Sequence, residues 1–445
     1  MLVALFVSST STAGRSVMDE PEPDGRCRTV SGGPLDGKPF AVTGYEVWRA
    51  WEQVRDNKGA PGVDGQSIAA FEERLEDNLY KVWNRMSSGT WFPPPVKAVE
   101  IPKAGGTRTL GVPTIADRVA QTVAANRIVT VTERFFHADS YGYRPGRGAH
   151  DALAVARKRC WDCDWVLEFD IRAFFDSVPH DLVVRAVEGL RLPPWVLLYV
   201  KRWLAAPVVM PDGGARPRDR GTPQGSAVSP VIANLFLHWA FDAWMDREFP
   251  DCPFERYADD GLIHCKSEAR ARRVLAALEQ RMKEVGLELH PGKTRIVYCK
   301  DGKRNAPWDG PVSFDFLGYA FRPRDSMGKN GRFTGFDLAA SPKAVKRMSE
   351  TVTGWQLHRL TALTWEQLAN WIGPVIRGWM AYYGRFRHSE LHPLLARINW
   401  HVQEWIRRKY RRLKPYKAMK RAWNRITAQK PGLLPHWRWE TGAWY

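Results

Sequence analysis

Two aspartates stand side by side at positions 259 and 260, inside Phe254-Glu-Arg-Tyr-Ala-Asp-Asp-Gly-Leu-Ile-His-Cys265. Carboxylates at neighbouring positions repel each other, and a positive partner has to come from elsewhere in the fold. A third acid, Asp170, closes the β-branched and aromatic run Trp165-Val-Leu-Glu-Phe-Asp-Ile171, 89 residues upstream of Asp259. If that run is a core strand and the acid pair tips a neighbouring hairpin, Asp170 and Asp259 converge on the kind of oxygen-rich site that holds Mg²⁺ against substrate phosphates. Two such ions, about 3.5–4 Å apart, activate an attacking hydroxyl and stabilise a leaving pyrophosphate. The plain alternative is a surface turn with two solvated acids. Against it stands the strand-end Asp170, with a suitable fold between.

The elements that must carry these acids can be read from periodicity. Tyr45–Val54 has helical apolar spacing, residues 57–65 (Asn-Lys-Gly-Ala-Pro-Gly-Val-Asp-Gly) form a turn-rich loop, and Ile68–Met86 resumes a helix. Val96–Ile101 and Thr109–Val112, joined across Gly105 and Gly106, predict a β-hairpin. Helices are expected over Ala116–Phe136, Ala149–Trp161, His180–Leu190, Pro194–Leu204, Ser229–Phe249 and Ser267–Val285. The last two bracket two short strands around Asp259 and Asp260. Strands interleaved with helices imply a mixed core. Beyond about residue 340 strand signals vanish, and helical patterns near 342–360, 364–386 and 391–413 predict an all-α module.

Composition narrows the partner. A chain of 445 residues with net charge +18 is 44% hydrophobic and 12% aromatic, which supplies several cores and excludes a disordered basic tail. A folded chain this basic repels itself unless a polyanion lies against it, so nucleic acid is the expected partner. Residues 401–430 hold 11 Lys or Arg against the single acid Glu404, interleaved with aromatics; such a face is a candidate nucleic-acid platform. Six scattered cysteines (27, 160, 163, 252, 265 and 299) point to a reducing compartment, cytoplasmic in a bacterium, and the lone Cys160/Cys163 pair lacks a second pair at zinc spacing. No apolar run is long enough for a membrane span. The opening Met1-Leu-Val-Ala-Leu-Phe has no basic residues ahead of it, unlike a signal peptide, and either Met1 or Met18 is a start for translation. Residues 19–44, rich in Pro and Gly, read as a mobile lead-in.

Several blocks in fixed order carry a resemblance. They are Lys-Gly-Ala-Pro-Gly-Val-Asp-Gly (58–65), Arg-Thr-Leu-Gly-Val-Pro (108–113), Phe-Asp-Ile-Arg-Ala-Phe-Phe-Asp-Ser-Val (169–178), Thr-Pro-Gln-Gly-Ser-Ala-Val-Ser-Pro (222–230), Tyr-Ala-Asp-Asp (257–260), His-Pro-Gly-Lys-Thr (290–294) and Phe-Leu-Gly-Tyr (316–319). With them, from about residue 45 to 440, the chain resembles the bacterial group II intron-encoded reverse transcriptase/maturase family. The resemblance implies an α+β right-hand polymerase: N-terminal extension and fingers to about 160, a palm with an antiparallel sheet over 161–340, a helical thumb or maturase domain over 341–415, and a basic aromatic extension over 416–445.

The resemblance also implies roles, position by position. Asp170 matches the first metal-binding aspartate, and Asp259 with Asp260 completes a triad for two Mg²⁺ ions, with Mn²⁺ as a possible substitute. Phe175 matches the aromatic gate that collides with a ribose 2′-hydroxyl. Gln224 matches a residue beside the incoming base, Lys103 and Arg108 the cations that grip the triphosphate, and Lys293 a cation near the departing pyrophosphate. Phe316–Tyr319 resembles the primer grip. The segment Trp371–Phe386 looks like the maturase signature, with Pro374 expected to bend its helix, and Arg377, Arg385 and Arg387 as contacts to RNA backbone. The basic face adds Arg407, Arg408, Arg411 and Arg412. Implied partners are an RNA template and primer, dNTP, a cognate group II intron RNA and a DNA target. A Cys-containing His-Asn-His nuclease is not expected, since no cysteine lies beyond residue 415. Two other readings stay open: a maturase acting mainly as an RNA-binding splicing cofactor, and a domesticated relative serving DNA repair or phage defence.

Overall fold

The computed structural model describes residues 37–103, 106–329 and 331–440. In chain order the strands are β1 (Val96–Lys103), β2 (Gly106–Val112), β3 (Trp165–Asp170), β4 (Val208–Val209), β5 (Ala215–Arg216), β6 (Phe254–Tyr257), β7 (Asp260–Cys265), β8 (Arg295–Tyr298), β9 (Phe314–Phe316), β10 (Tyr319–Gly328) and β11 (Gly331–Ala340). They form sheets of order β2-β1-β4-β5, β6-β7-β3-β8 and β11-β10-β9. After β11 only helices occur among the described residues. The chain is therefore mixed α/β toward its N-terminal side and all-α toward its C-terminal side. None of the described helices is long and apolar enough to cross a membrane.

Two compact units divide the chain, one of residues 1–148, 169–261 and 273–294, the other of 149–168, 262–272 and 295–445. In the first unit, order starts before the expected Tyr45. The Lys38 ammonium sits 3.6 Å over the Trp83 ring, Val42 is buried, and Thr43 and Glu46 form a capping box that opens helix Gly44–Asp56. The predicted helix over 68–86 breaks into Ile68–Glu72 and Leu75–Ser87, although no Gly or Pro marks the break. Helix Ile115–Thr132 is buried on nearly every face and runs through the middle of this unit. The helix expected over Ser229–Phe249 is interrupted: Ser229–Leu237 is α, His238–Asp242 is a π-turn, and Ala243–Glu248 is α again. The wider turn inserts an extra residue and rotates the helix beyond it. Asp242, the last residue of that turn, is fully buried.

In the second unit, β3 pairs antiparallel with β8 from Trp165↔Tyr298 to Glu168↔Arg295. Strands β10 and β11 form a ten-residue-per-arm hairpin that sequence reading did not anticipate. The helices Pro342–Gly354, Trp365–Arg387, His392–Lys409 and Tyr416–Gln429 share a core in which Leu368, Ile372, Ile376, Leu395, Ile398, Val402 and Trp405 are buried. Thr364 and Gln367 cap the second of them, and Pro374 lies inside it.

Candidate active site

The acids at 170, 259 and 260, the cations around them and the loops that present them, from Arg108 and Tyr143 to Lys293, belong to the first unit. The turn between β6 and β7 is held from beneath by one guanidinium. Arg256 is 1% exposed. Its Nε and Nη2 donate to Asp242 at 2.6 Å each, Nη1 donates to Asn234 Oδ1 (3.0 Å) and to the Ala258 carbonyl (3.1 Å), and Nη2 also reaches Ser140 Oγ (2.8 Å). Ala258 has φ +58°, a left-handed conformation that a side chain with Cβ rarely adopts and that persists where surroundings over-determine it. Here they do. Asn234 Nδ2 also donates to Gly142 O at 2.6 Å, and Gly142 packs so tightly that a Cβ there would lie 2.4 Å from Ala258 N. Gly142→Ala is accordingly expected to displace the turn and lower the melting temperature, which thermal denaturation checks.

The turn delivers Asp259, half-buried, and Asp260, exposed. Asp170 reaches the same place from β3: its carbonyl accepts from His290 N (2.8 Å), and the tip of the Phe169 ring packs against Gly261, where a Cβ would meet it at 2.3 Å. Lys293 Nζ donates to Asp170 Oδ2 at 2.5 Å. Burial pushes the Asp259 carboxyl above the usual range and the negative Asp170 adds to this, while a hydrogen bond from its own backbone and the charges of Arg108 and Lys293 oppose it. Burial works against the Lys293 charge, but the bond to Asp170 and the charges of Asp170, Asp260 and Asp259 outweigh it and raise its pKa. Two acids from β3 and the turn thus feel one another and share cationic neighbours. Among the described residues, no three His, Cys, Asp or Glu side chains stand close enough together to hold a metal ion.

On the hairpin side, Arg108 Nε donates to Gln224 Oε1, and Gly111 N donates to Gln224 O at 2.7 Å. The structure therefore joins Arg108 and Gln224, which sequence reading singled out separately. Lys103 ends β1 opposite Gly106; its side chain lies outside the described residues. Phe175 is buried, edge-on to Phe174 at 5.4 Å, and its carbonyl accepts from Thr222 N at 2.6 Å. Phe175 and the loop that carries Gln224 are thereby tied by backbone.

Three neighbours escaped sequence reading. Tyr143 has φ +56° and is 42% exposed; burial raises its phenol pKa, Asp259, Tyr257 and Asp260 add to the rise, and Arg108 opposes it. Its signal was the Gly142-Tyr-Arg-Pro-Gly146 turn. Asp176 comes directly after Phe175. Burial raises its carboxyl pKa while Arg218 and Arg108 lower it, and with Arg218 and Gln224 it lines a cleft of about 270 Å³.

In the second unit, Leu317 (φ +50°) and Gly318 (φ +81°) turn the chain from β9 into β10, and Tyr382 Oη donates to Leu317 O at 2.8 Å. Arg377, Arg385, Arg408, Arg411 and Arg412 are exposed. Arg387 instead donates to Asp325 O and pairs with Glu390 (3.7 Å), and Arg407 pairs with Glu404 (2.8 Å).

Known families match both parts of the chain. Residues 101–321 match the model of the reverse transcriptase (RNA-dependent DNA polymerase), and residues 345–423 match that of the group II intron, maturase-specific domain. The chain belongs to the group II intron-encoded reverse transcriptase/maturase family. This reverse transcriptase/maturase is 29% identical to protein YkfC of Escherichia coli over 319 residues, 61% of this chain and 79% of that protein. It is 27% identical to the group II intron-encoded protein LtrA of Lactococcus lactis over 197 residues, 42% of this chain and 32% of LtrA, and 31% identical over 177 residues, 40% of this chain, to an uncharacterized 91 kDa protein in a cob intron of Schizosaccharomyces pombe, of which 21% is covered. The chain thus matches less than a third of the length of each of these two intron-encoded relatives. The reverse-transcriptase match contains Asp170, Asp259, Asp260 and Lys293, and the maturase match contains Arg377, Arg385 and Arg387.

Proposed function

We propose that this protein is an RNA-directed DNA polymerase of right-hand architecture that also binds its intron RNA and assists its splicing. What carries the reading is the approach of Asp170 to Asp259 around Lys293 and Arg108, inside the region that matches reverse transcriptases. The donor set fits a hard divalent cation: the acids offer only oxygen, and each raises the other's demand for positive charge. Asp170 and Asp259, with Asp260 exposed beside them, would hold Mg²⁺. Bound there, a metal would supply Lewis acidity to the α-phosphate and would make the primer 3′-hydroxyl more acidic.

The protein's own groups do the rest. Arg108, whose Nε donates to Gln224 Oε1, would grip the incoming triphosphate with charge-assisted hydrogen bonds. Phe175 would exclude a 2′-hydroxyl by occupying its space. Lys293, whose ammonium lies on Asp170 Oδ2, would neutralise the departing pyrophosphate or give it a proton. The exposed arginines of the helical unit would hold RNA through phosphates, which fix register without reading sequence.

Primer extension on RNA tests the polymerase part; a purified chain that makes no cDNA above an Asp259→Asn control ends it. The maturase part predicts that the chain accelerates splicing of its cognate RNA at low Mg²⁺ and that Asp259→Asn does so equally. No acceleration by either protein rejects that part alone. Affinity for RNA should fall linearly with salt on logarithmic axes, by about a thousandfold between 50 and 200 mM if six or more phosphates are contacted. A flat dependence, measured by filter binding across that range, would contradict a phosphate-dominated interface.

A further inference from the structure

The loop that carries Gln224 and Gly225 is fixed at two places. Toward the hairpin, Gly111 N donates to Gln224 O (2.7 Å), and Gly225, at φ +114°, lies so close that a Cβ would sit 2.7 Å from Gly111 O. Toward the core, Ser226 Oγ (2.6 Å) and Ala227 N (2.9 Å) both donate to Oε1 of Gln121, on helix Ile115–Thr132. Gln121 Nε2 in turn donates to Asp117 Oδ2 at 2.8 Å. The other oxygen, Asp117 Oδ1, accepts from two indoles, Trp91 Nε1 (3.0 Å) and Trp203 Nε1 (2.9 Å). Asp117 and Gln121 are each 1% exposed and Ser226 is 3% exposed.

The polarity of this chain of bonds has one solution. Four donors face Asp117 and the oxygen of Gln121 from outside, so the amide must turn its oxygen to the loop and its NH₂ to the carboxylate. A buried carboxylate surrounded by donors alone is costly to keep, and a carbon side chain would fill the space without it. What the carboxylate gains here is the orientation of one amide. We propose that Gln121, held by Asp117, is a positioning residue for the incoming deoxynucleoside triphosphate, fixing the Ser226–Ala227 end of the loop that presents Gln224 and Gly225 to it. The proposal rests on the polymerase reading and adds a residue pair that touches neither nucleotide nor metal.

Asp117→Asn keeps the shape and inverts the relay. Its oxygen can still accept from the two indoles, but its NH₂ then meets the NH₂ of Gln121, so the amide must flip and abandon the buried Ala227 N–H. The expected result is a rise in KM for dNTP of about tenfold, with kcat changed much less. The double variant Asp117→Asn/Gln121→Glu restores complementarity: the asparagine NH₂ donates to one carboxylate oxygen, and the other accepts from Ser226 and Ala227. It should bring KM back to within about threefold of wild type. Burial pushes the Asp117 carboxyl up to about 6, opposed by its hydrogen bonds from Trp203, Trp91 and Gln121, with no charged side chain among the groups acting on it. In wild type, KM should therefore rise as pH falls through about 6, whereas in Asp117→Asn it should stay flat relative to wild type.

The test is steady-state primer extension on an RNA template with varied dNTP, from pH 5.5 to 8, with thermal denaturation of each variant to establish folding. A wild-type KM in folded Asp117→Asn, or no recovery in the folded double variant, overturns the proposal. Should Asp117→Asn not fold, Ser226→Ala decides: it leaves the core carboxylate intact, is expected to raise KM about threefold, and overturns the proposal if KM is unchanged. Wild type that makes no cDNA sinks the polymerase reading itself, a result distinct from all of these.

Discussion

Asp259→Asn is expected to lower cDNA synthesis on an RNA template by about a thousandfold or more while leaving the fold intact. The substitution keeps size and shape and removes one charge. A carboxylate that stabilises charge development at the reacting phosphate through a bound cation contributes several kcal/mol to the transition state, and each 1.36 kcal/mol is a factor of ten. Stability should move the opposite way. Burial and the Asp170 charge raise the Asp259 pKa above that of the unfolded chain, so in the metal-free protein the ionised group opposes folding once the pH exceeds its unfolded value. The neutral asparagine removes that opposition. Single-turnover extension and thermal melting of the apo-protein together should thus show activity lost and melting temperature unchanged or raised, the pattern of a site whose function works against its stability. Activity within tenfold of wild type would remove Asp259 from the chemistry.

The largest effect on stability is expected one layer below. Asp242→Asn strips the partner from a guanidinium that is itself buried, and breaking such a pair costs about 3–5 kcal/mol because an uncompensated charge remains. Burial raises the Asp242 pKa, but the charge and hydrogen bonds of Arg256, with the nearby His238 imidazole 3.7 Å away, outweigh it and depress the value below 3.8. A depressed carboxylate contributes stability that is present above its unfolded pKa and lost as pH falls through the folded one. Urea titrations at pH 7 should therefore separate wild type from Asp242→Asn, and the gap should shrink below about pH 4. Replacing both partners, as Asp242→Leu/Arg256→Met, should cost less than the single change. A difference under about 1 kcal/mol at pH 7 would show that the pair is not what holds the turn. If Asp259 acts in polymerisation as proposed, the same variant should also lose cDNA synthesis, since Arg256 anchors the Ala258 carbonyl in the turn that carries Asp259.

The π-turn at His238–Asp242 explains why this support was not legible in the sequence. Residues 229–249 have continuous helical periodicity, and nothing in their composition announces a single wide turn. Local pattern did expose the strand ending at Asp170 and the hairpin around Asp259, because both alternate β-branched and aromatic residues against a sharp acid. It also placed β1 and β2 within a few residues. It passed over β10 and β11, where Arg322, Pro323, Arg324 and Asp325 break the alternation that marks a half-buried strand. Asp176 and Arg218 were missed for another reason: what marks them is a charge brought near by folding, which leaves no trace in neighbouring residue types, whereas Tyr143 had a signal in its Gly- and Pro-containing turn. The Asp117–Gln121 relay is the extreme case, joining residues more than a hundred positions apart.

We propose that Asp170 and Asp259 hold divalent cations in common. This is tested most directly by counting Mn²⁺ bound to the protein in complex with an RNA template, a dideoxy-terminated primer and dNTP, by electron paramagnetic resonance. Wild type should bind two ions tightly, and Asp170→Asn and Asp259→Asn should each lose at least one while still binding template and primer. Equal Mn²⁺ counts in all three proteins would contradict the account.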